Sequence, residues 1–146
     1  GQQSVTDAVY QSCLAPTFFH DENGIIDGSV MTNNPTMIAV TMAHAYYGIP
    51  IDQIKVLSIG TKERIHVPVR RTASIFFWIR NIIYLLMDAS SDHTKILCDM
   101  LLGLNYLRIE VPCGLPINSY QHRDTFIRLG YDAFVKYRSM IDTLLN

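Results

Sequence analysis

Residues 24–60 constrain the fold more than any other part of the chain, because strand, helix and strand signals follow each other there without a gap. Gly24-Ile25-Ile26-Asp27-Gly28 reads as a turn, a short apolar strand and a second turn. Asn33-Asn34-Pro35 then opens a helix, since Asn is a favoured N-cap and Pro suits the first helical position. That helix, residues 35–47, is rich in Met, Ala, Ile and Val, with Gly48 at its C′ position and Pro50 just beyond. Residues 54–59 are mainly β-branched, stop at Gly60 and read as a buried strand. This order predicts a βαβ unit, hence an α/β fold with a mainly parallel sheet.

The flanking segments fill in the rest. Residues 7–13 form a short helix that Pro16 ends. Residues 61–71 are irregular and 74–87 helical. Ser90 or Ser91 caps a further helix to about residue 102, closed by Gly103. Residues 106–111 make a strand stopped by Pro112. Residues 121–145 are one amphipathic helix, or a pair broken near Gly130.

Composition excludes several classes. Of 146 residues, 49% are hydrophobic and only 17% charged, against about 25% charged in an average soluble domain, which excludes a disordered tail. A net charge of −1 argues against a nucleic-acid partner. Cys13, Cys98 and Cys113 are odd in number and show no CxxC spacing, so neither a disulfide scaffold nor a zinc site is expected. The five histidines stand far apart, and no metal or cofactor is anticipated. The longest apolar run, 75–87, is broken by Arg80 and Asn81 and is shorter than the roughly 20 residues of a spanning helix. The first residues lack the basic and apolar regions of a signal peptide, and with unpaired thiols this suggests the cytoplasm. The missing initial Met suggests a processed product or a fragment.

The chemistry is concentrated in residues 12–36, SCLAPTFFHDENGIIDGSVMTNNPT. Ser12 to Phe19, then Ile26-Asp27-Gly28 with Val30 and Asn33-Asn34-Pro35-Thr36, then Leu57-Ser58-Ile59-Gly60-Thr61, stand in the order and spacing of three linked blocks. In these blocks the chain resembles the patatin-like phospholipases. Residues 86–92 and 105–108 extend the likeness more loosely. The resemblance implies that residues 1–146 are the C-terminal portion of one patatin-like three-layer domain. It also implies hydrolysis of phospholipid or other lipid esters by a Ser–Asp dyad, without metal or catalytic histidine. Of the family's site only the aspartate carries over, onto Asp27, with Gly28 and Ser29 supporting the turn. A serine hydroxyl is a poor nucleophile until a base takes its proton. A carboxylate can do this when it touches the hydroxyl directly and is partly desolvated.

Two departures qualify the resemblance. Ser29 stands where the family has Gly or Ala, and serine is small enough to be tolerated. No G-x-S-x-G and no Gly-rich oxyanion loop occur in the chain. The serine is therefore expected from a missing N-terminal half, and this chain alone should be inactive. The rival reading is a non-catalytic relative acting as an interaction or membrane-surface module. Asp21-Glu22-Asn23-Gly24 fails the spacing of a calcium loop and reads as a polar turn. Ser58 lacks an elbow and is no nucleophile. His44 reads as structural. Residues 53–87 hold Lys55, Lys62, Arg64, Arg70, Arg71 and Arg80 against Glu63 alone, a net +5. Next to Phe76, Phe77 and Trp78, the basic residues of 62–87 suit peripheral contact with anionic lipid. The competing reading of 74–87, placed first, is a buried core helix.

Overall fold

Two parallel strands, β1 (Val56–Lys62) and β2 (Tyr106–Pro112), organise the part of the chain that holds most of the core. The structure is a computed structural model that describes residues 4–15, 19–62, 74–115 and 119–146. The chain divides into two compact units, Gly1–Asn34 with Val69–Asp92, and Pro35–Pro68 with His93–Asn146. The helices are α1 (Val5–Gln11), α2 (Thr36–Tyr47), α3 (Ile75–Leu102) and α4 (Arg123–Leu145).

In the second unit the strands pair from Val56↔Tyr106 to Lys62↔Pro112. Alternation along a strand sends neighbouring residues to opposite faces. Tyr106 joins Val40 of α2, Ile54, and Cys98 and Leu102 of α3 in one buried cluster. Leu107 and Ile109 join Leu144 of α4 in another, with Ala133, Tyr137 and Ile141 alongside. The unit is thus helices, sheet, helix: an α/β arrangement with a parallel sheet flanked on both faces. The helix α4 covers β2 more than β1. Leu107 and Ile109 are buried beneath it, whereas their register partners Leu57 and Ile59 are 37% and 69% exposed.

The helix α2 ends as its sequence requires. Gly48 adopts φ +66°, a left-handed conformation that costs glycine little, and its N–H donates back to the Ala43 and His44 carbonyls. The His44 ring Nδ1 lies 2.9 Å from the Ile49 carbonyl, a structural contact at the same helix end.

The first unit is sparse. Leu14, Asn34 and Ser91 are the buried residues among its described ones. The helix α1 starts at Ser4, whose hydroxyl accepts from the Asp7 N–H, and buries nothing.

Several expectations are corrected. No strand forms at residues 25–26; Glu22 and Ile25 make an isolated bridge, and Ile25 and Ile26 are exposed. A strand needs a partner along its length, and none of the described residues supplies one. The parallel pair is therefore β1 with β2, not residues 25–26 with β1. The helix after Pro35 starts at Thr36. The strand expected to stop at Gly60 runs to Lys62, while Ile54 enters the core from outside it. The two helices expected over 74–102 are the single α3, since residues 88–92 contain neither Gly nor Pro. None of the described side chains at 75–90 is buried; those of Ile79, Arg80 and Ile83 lie outside the described residues, so the core-helix reading of 74–87 is not decided by the structure. Gly130 does not break α4, because a glycine costs about 1 kcal/mol in a helix interior and the remaining positions outweigh it. Gly103, at φ +53°, closes α3 as expected.

The uneven cover of the sheet gives a direct test. Ile109→Ala is expected to cost about 2–4 kcal/mol in urea unfolding, as buried large-to-small changes do, and Ile59→Ala less than about 1 kcal/mol. Equal losses would contradict the placement of α4 over β2.

Candidate functional site

Asp27 sits at the start of a single 3₁₀ turn, Gly28–Val30. Its Oδ1 accepts the Ser29 N–H at 2.8 Å, and its own N–H donates to the Leu14 carbonyl at 3.0 Å. The first of these contacts explains why the residue is Asp. A short carboxylate caps the turn two residues on, and the backbone bond ties it to the segment just before Pro16. The sequence blocks around Ser12 and around Asp27 are therefore joined by the Asp27–Leu14 bond.

The carboxylate is half-buried, and Oδ2 makes no hydrogen bond to any described residue. One oxygen is fixed and the other is available to a donor. Gly28 is exposed, and a Cβ there would meet nothing within 4 Å, so the approach beside the carboxylate is open. Ser29, the departure from the family pattern, is half-buried and serves the turn through its backbone N–H. Ser12 follows α1 and bonds its hydroxyl to the Val9 carbonyl at 3.0 Å, so it is engaged locally. Residues 16–18 of the same block lie outside the described residues. The segment Asp21–Gly24 is a polar turn: Asp21 Oδ2 accepts the Gly24 N–H at 2.9 Å, and Asn23 and Gly24 both have positive φ.

The second unit holds a separate polar cluster, which reading the sequence alone did not single out. Ser58 and Arg108 are register partners on β1 and β2. Arg108 Nη1 donates to Ser58 Oγ at 2.8 Å, and Ser58 Oγ lies 2.7 Å from Thr36 Oγ1 in the first turn of α2. Arg108 Nε also reaches Glu110 Oε1 at 3.4 Å. The guanidinium rests on Gly60: a Cβ there would fall 2.8 Å from Arg108 Cζ and closer still to Nη2. Gly60 is thus kept small by close approach, not by a turn. The sequence signal was parity, since Ser58, Arg108 and Glu110 share a face with Val56 and Tyr106. Among the described residues Ser58 bonds a hydroxyl and a guanidinium and no base, which gives it no activation as a nucleophile there.

Burial also shapes two acids here. It pushes the Cys98 thiol up from its ordinary value, with Asp99 adding and Arg108 opposing. The Tyr106 phenol is likewise pushed up, first by burial and then by Cys98, with Arg108 and the nearby Ser58 hydroxyl opposing. Its hydroxyl is buried and makes no hydrogen bond to the described residues. Among the described residues no cluster of His, Cys, Asp or Glu could hold a metal ion. Arg64, Arg70 and Arg71, the centre of the expected lipid contact, lie outside the described residues. No helix of the described residues is long and apolar enough to cross a membrane.

Both raised acids favour their neutral form in the folded state. Stability is then complete below the ordinary thiol value of 9.0 and is lost as pH rises beyond it. The urea midpoint is expected to fall above that pH, and to fall less steeply in Tyr106→Phe. Parallel pH profiles for the two proteins would contradict the burial of this phenol.

No family model matches the chain. No solved structure matches it. It is 36% identical over 61 residues to a Bacillus subtilis (strain 168) protein described as "Putative sporulation hydrolase CotR", covering 42% of this chain and 19% of that protein. It is 26% identical over 142 residues to the 85/88 kDa calcium-independent phospholipase A2 of Rattus norvegicus and to that of Mus musculus. Those alignments cover 79% of this chain and 18% of each relative. The chain thus spans about a fifth of the length of these curated relatives, and it is distantly related to proteins named as a hydrolase and a phospholipase.

Proposed function

We propose that this chain is the C-terminal portion of a lipid acyl hydrolase and that Asp27 is its general base. The observation that carries the reading is the half-buried carboxylate of Asp27, with one oxygen locked on the Ser29 N–H and the other without a hydrogen bond among the described residues. The distant relatives named as phospholipase and hydrolase support the reaction class.

The chemistry follows from a carboxylate acting without histidine. A serine supplied by chain outside these 146 residues places its hydroxyl on Asp27 Oδ2. As Oγ bonds to the ester carbonyl carbon, its proton passes to the carboxylate. Collapse of the tetrahedral species breaks the ester C–O bond, and the carboxyl proton goes to the departing alkoxide. The same carboxylate then takes a proton from water, which attacks the acyl-serine; as the acyl C–Oγ bond breaks and the acid leaves, that proton passes to Oγ, restoring the hydroxyl and the carboxylate. The fixed oxygen holds the rotamer throughout, and the free one does the proton transfer. The missing half would also pair along the edge of β1 away from β2, and cover the face where Leu57 and Ile59 are exposed.

In the full-length protein, Asp27→Asn keeps the shape and the cap and loses the base. It is expected to lower ester turnover about 10²- to 10⁴-fold, with the circular dichroism spectrum and urea midpoint retained. Turnover within a few-fold of the parent would remove Asp27 from the chemistry.

A further inference from the structure

The first turns of α3 carry an apolar face that no described residue covers. Ile75, Phe76 and Leu86 are 67%, 79% and 61% exposed, and Ile82 and Ala89 are exposed too. At about 100° per residue, Ile75, Ile82, Leu86 and Ala89 fall within about 60° of one another around the helix. Ser91, which is buried, comes nine residues after Ile82 and so stands on the opposite side. The helix is thus covered at Ser91 and turns a row of aliphatic groups outward. A contiguous exposed row of this kind marks a surface that meets something other than water. Charge along the sequence indicates the partner. Residues 53–87 hold six cations against Glu63 alone, and the acids of α3, Asp88, Asp92 and Asp99, all follow Leu86. Apolar groups set among net positive charge suit an anionic lipid surface, where aliphatic and aromatic side chains enter the acyl boundary and cations meet phosphate. A second copy meeting this face isologously would set like charge against like.

We propose that the outward row Ile75, Ile82 and Leu86 of α3, with Phe76 beside it, is a docking surface for an anionic phospholipid membrane. Arg80 and Asn81 interrupt the apolar run, and the helix is not apolar enough to cross a bilayer, so it lies along the interface. The surface rests on exposure and charge; only its use in bringing a site to lipid esters rests on the acyl hydrolase reading.

The test is sedimentation of the full-length protein with vesicles of phosphatidylcholine, with and without phosphatidylserine. The parent is expected to sediment with the anionic vesicles, less with the neutral ones, and less again in high salt. Ile75→Glu and Leu86→Glu place a charge on the outward row and are each expected to weaken binding about tenfold or more, with the urea midpoint retained. Ile127→Glu, at a position of α4 that is 62% exposed, is expected to bind as the parent does. Undiminished binding by both α3 variants, or an equal loss in Ile127→Glu, would overturn the proposal. So would a parent that binds no vesicles, whether the missing half covers the face (slow hydrogen–deuterium exchange over 75–89 without lipid) or a second copy does (a dimer that Leu86→Glu disperses). Binding that depends on Ile75 and Leu86 in a parent that hydrolyses no lipid ester would keep the docking surface and discard the hydrolase reading.

Discussion

The pairing of β1 with β2 is the constraint on which the second unit depends. A parallel pair is closed only through a long crossover, and β2 is buried on both faces while β1 is covered on one. Here the one-residue alternation at Tyr106 and Leu107 serves two cores, one with α2 and α3 and one with α4. A one-residue slip of β2 against β1 would exchange Arg108 with Leu107, putting a guanidinium under α4 and an aliphatic group beside Ser58. Register, cores and polar cluster are thus a single choice.

The first unit is governed by turn chemistry instead. Its described residues bury little, and its order comes from short-range bonds: Ser4 on Asp7, Asp21 on Gly24, Asp27 on Ser29 and on Leu14. A carboxylate held this way has a fixed rotamer while remaining half-exposed. That combination suits a group that must meet a donor arriving from elsewhere, and it costs less than burying a charge outright.

Legibility in the sequence followed the range of the interaction. The ends at Gly48 and Gly103 were readable because positive φ is a local demand that glycine meets. The existence of both strands was readable, one from a β-branched run and the other from alternation, but their extents were set by the partner: β1 reaches Lys62 because β2 reaches Pro112. The strand at 25–26 looked right in isolation and failed for want of a neighbour among the described residues. Ser90 and Ser91 had capping character, yet a cap acts only where the backbone leaves the helix, and nothing at 88–92 makes it leave. For the candidate site, the linked blocks singled out Asp27 with Gly28 and Ser29, and the Asp-Gly pair made their turn readable. The Asp27–Leu14 bond that joins two of those blocks was not. Nor was the Arg108–Ser58–Thr36 series, which spans 72 positions from Thr36 to Arg108 and depends on register.

The central claim is that Asp27 activates a serine lying outside this stretch of chain. The most direct measurement is labelling of the full-length protein with a fluorophosphonate ester, followed by peptide mapping of the modified residue. The adduct is expected on a serine upstream of Gly1, formed at least about a hundredfold more slowly in Asp27→Asn. An adduct on a serine within residues 1–146, or labelling indifferent to Asp27, would contradict the claim.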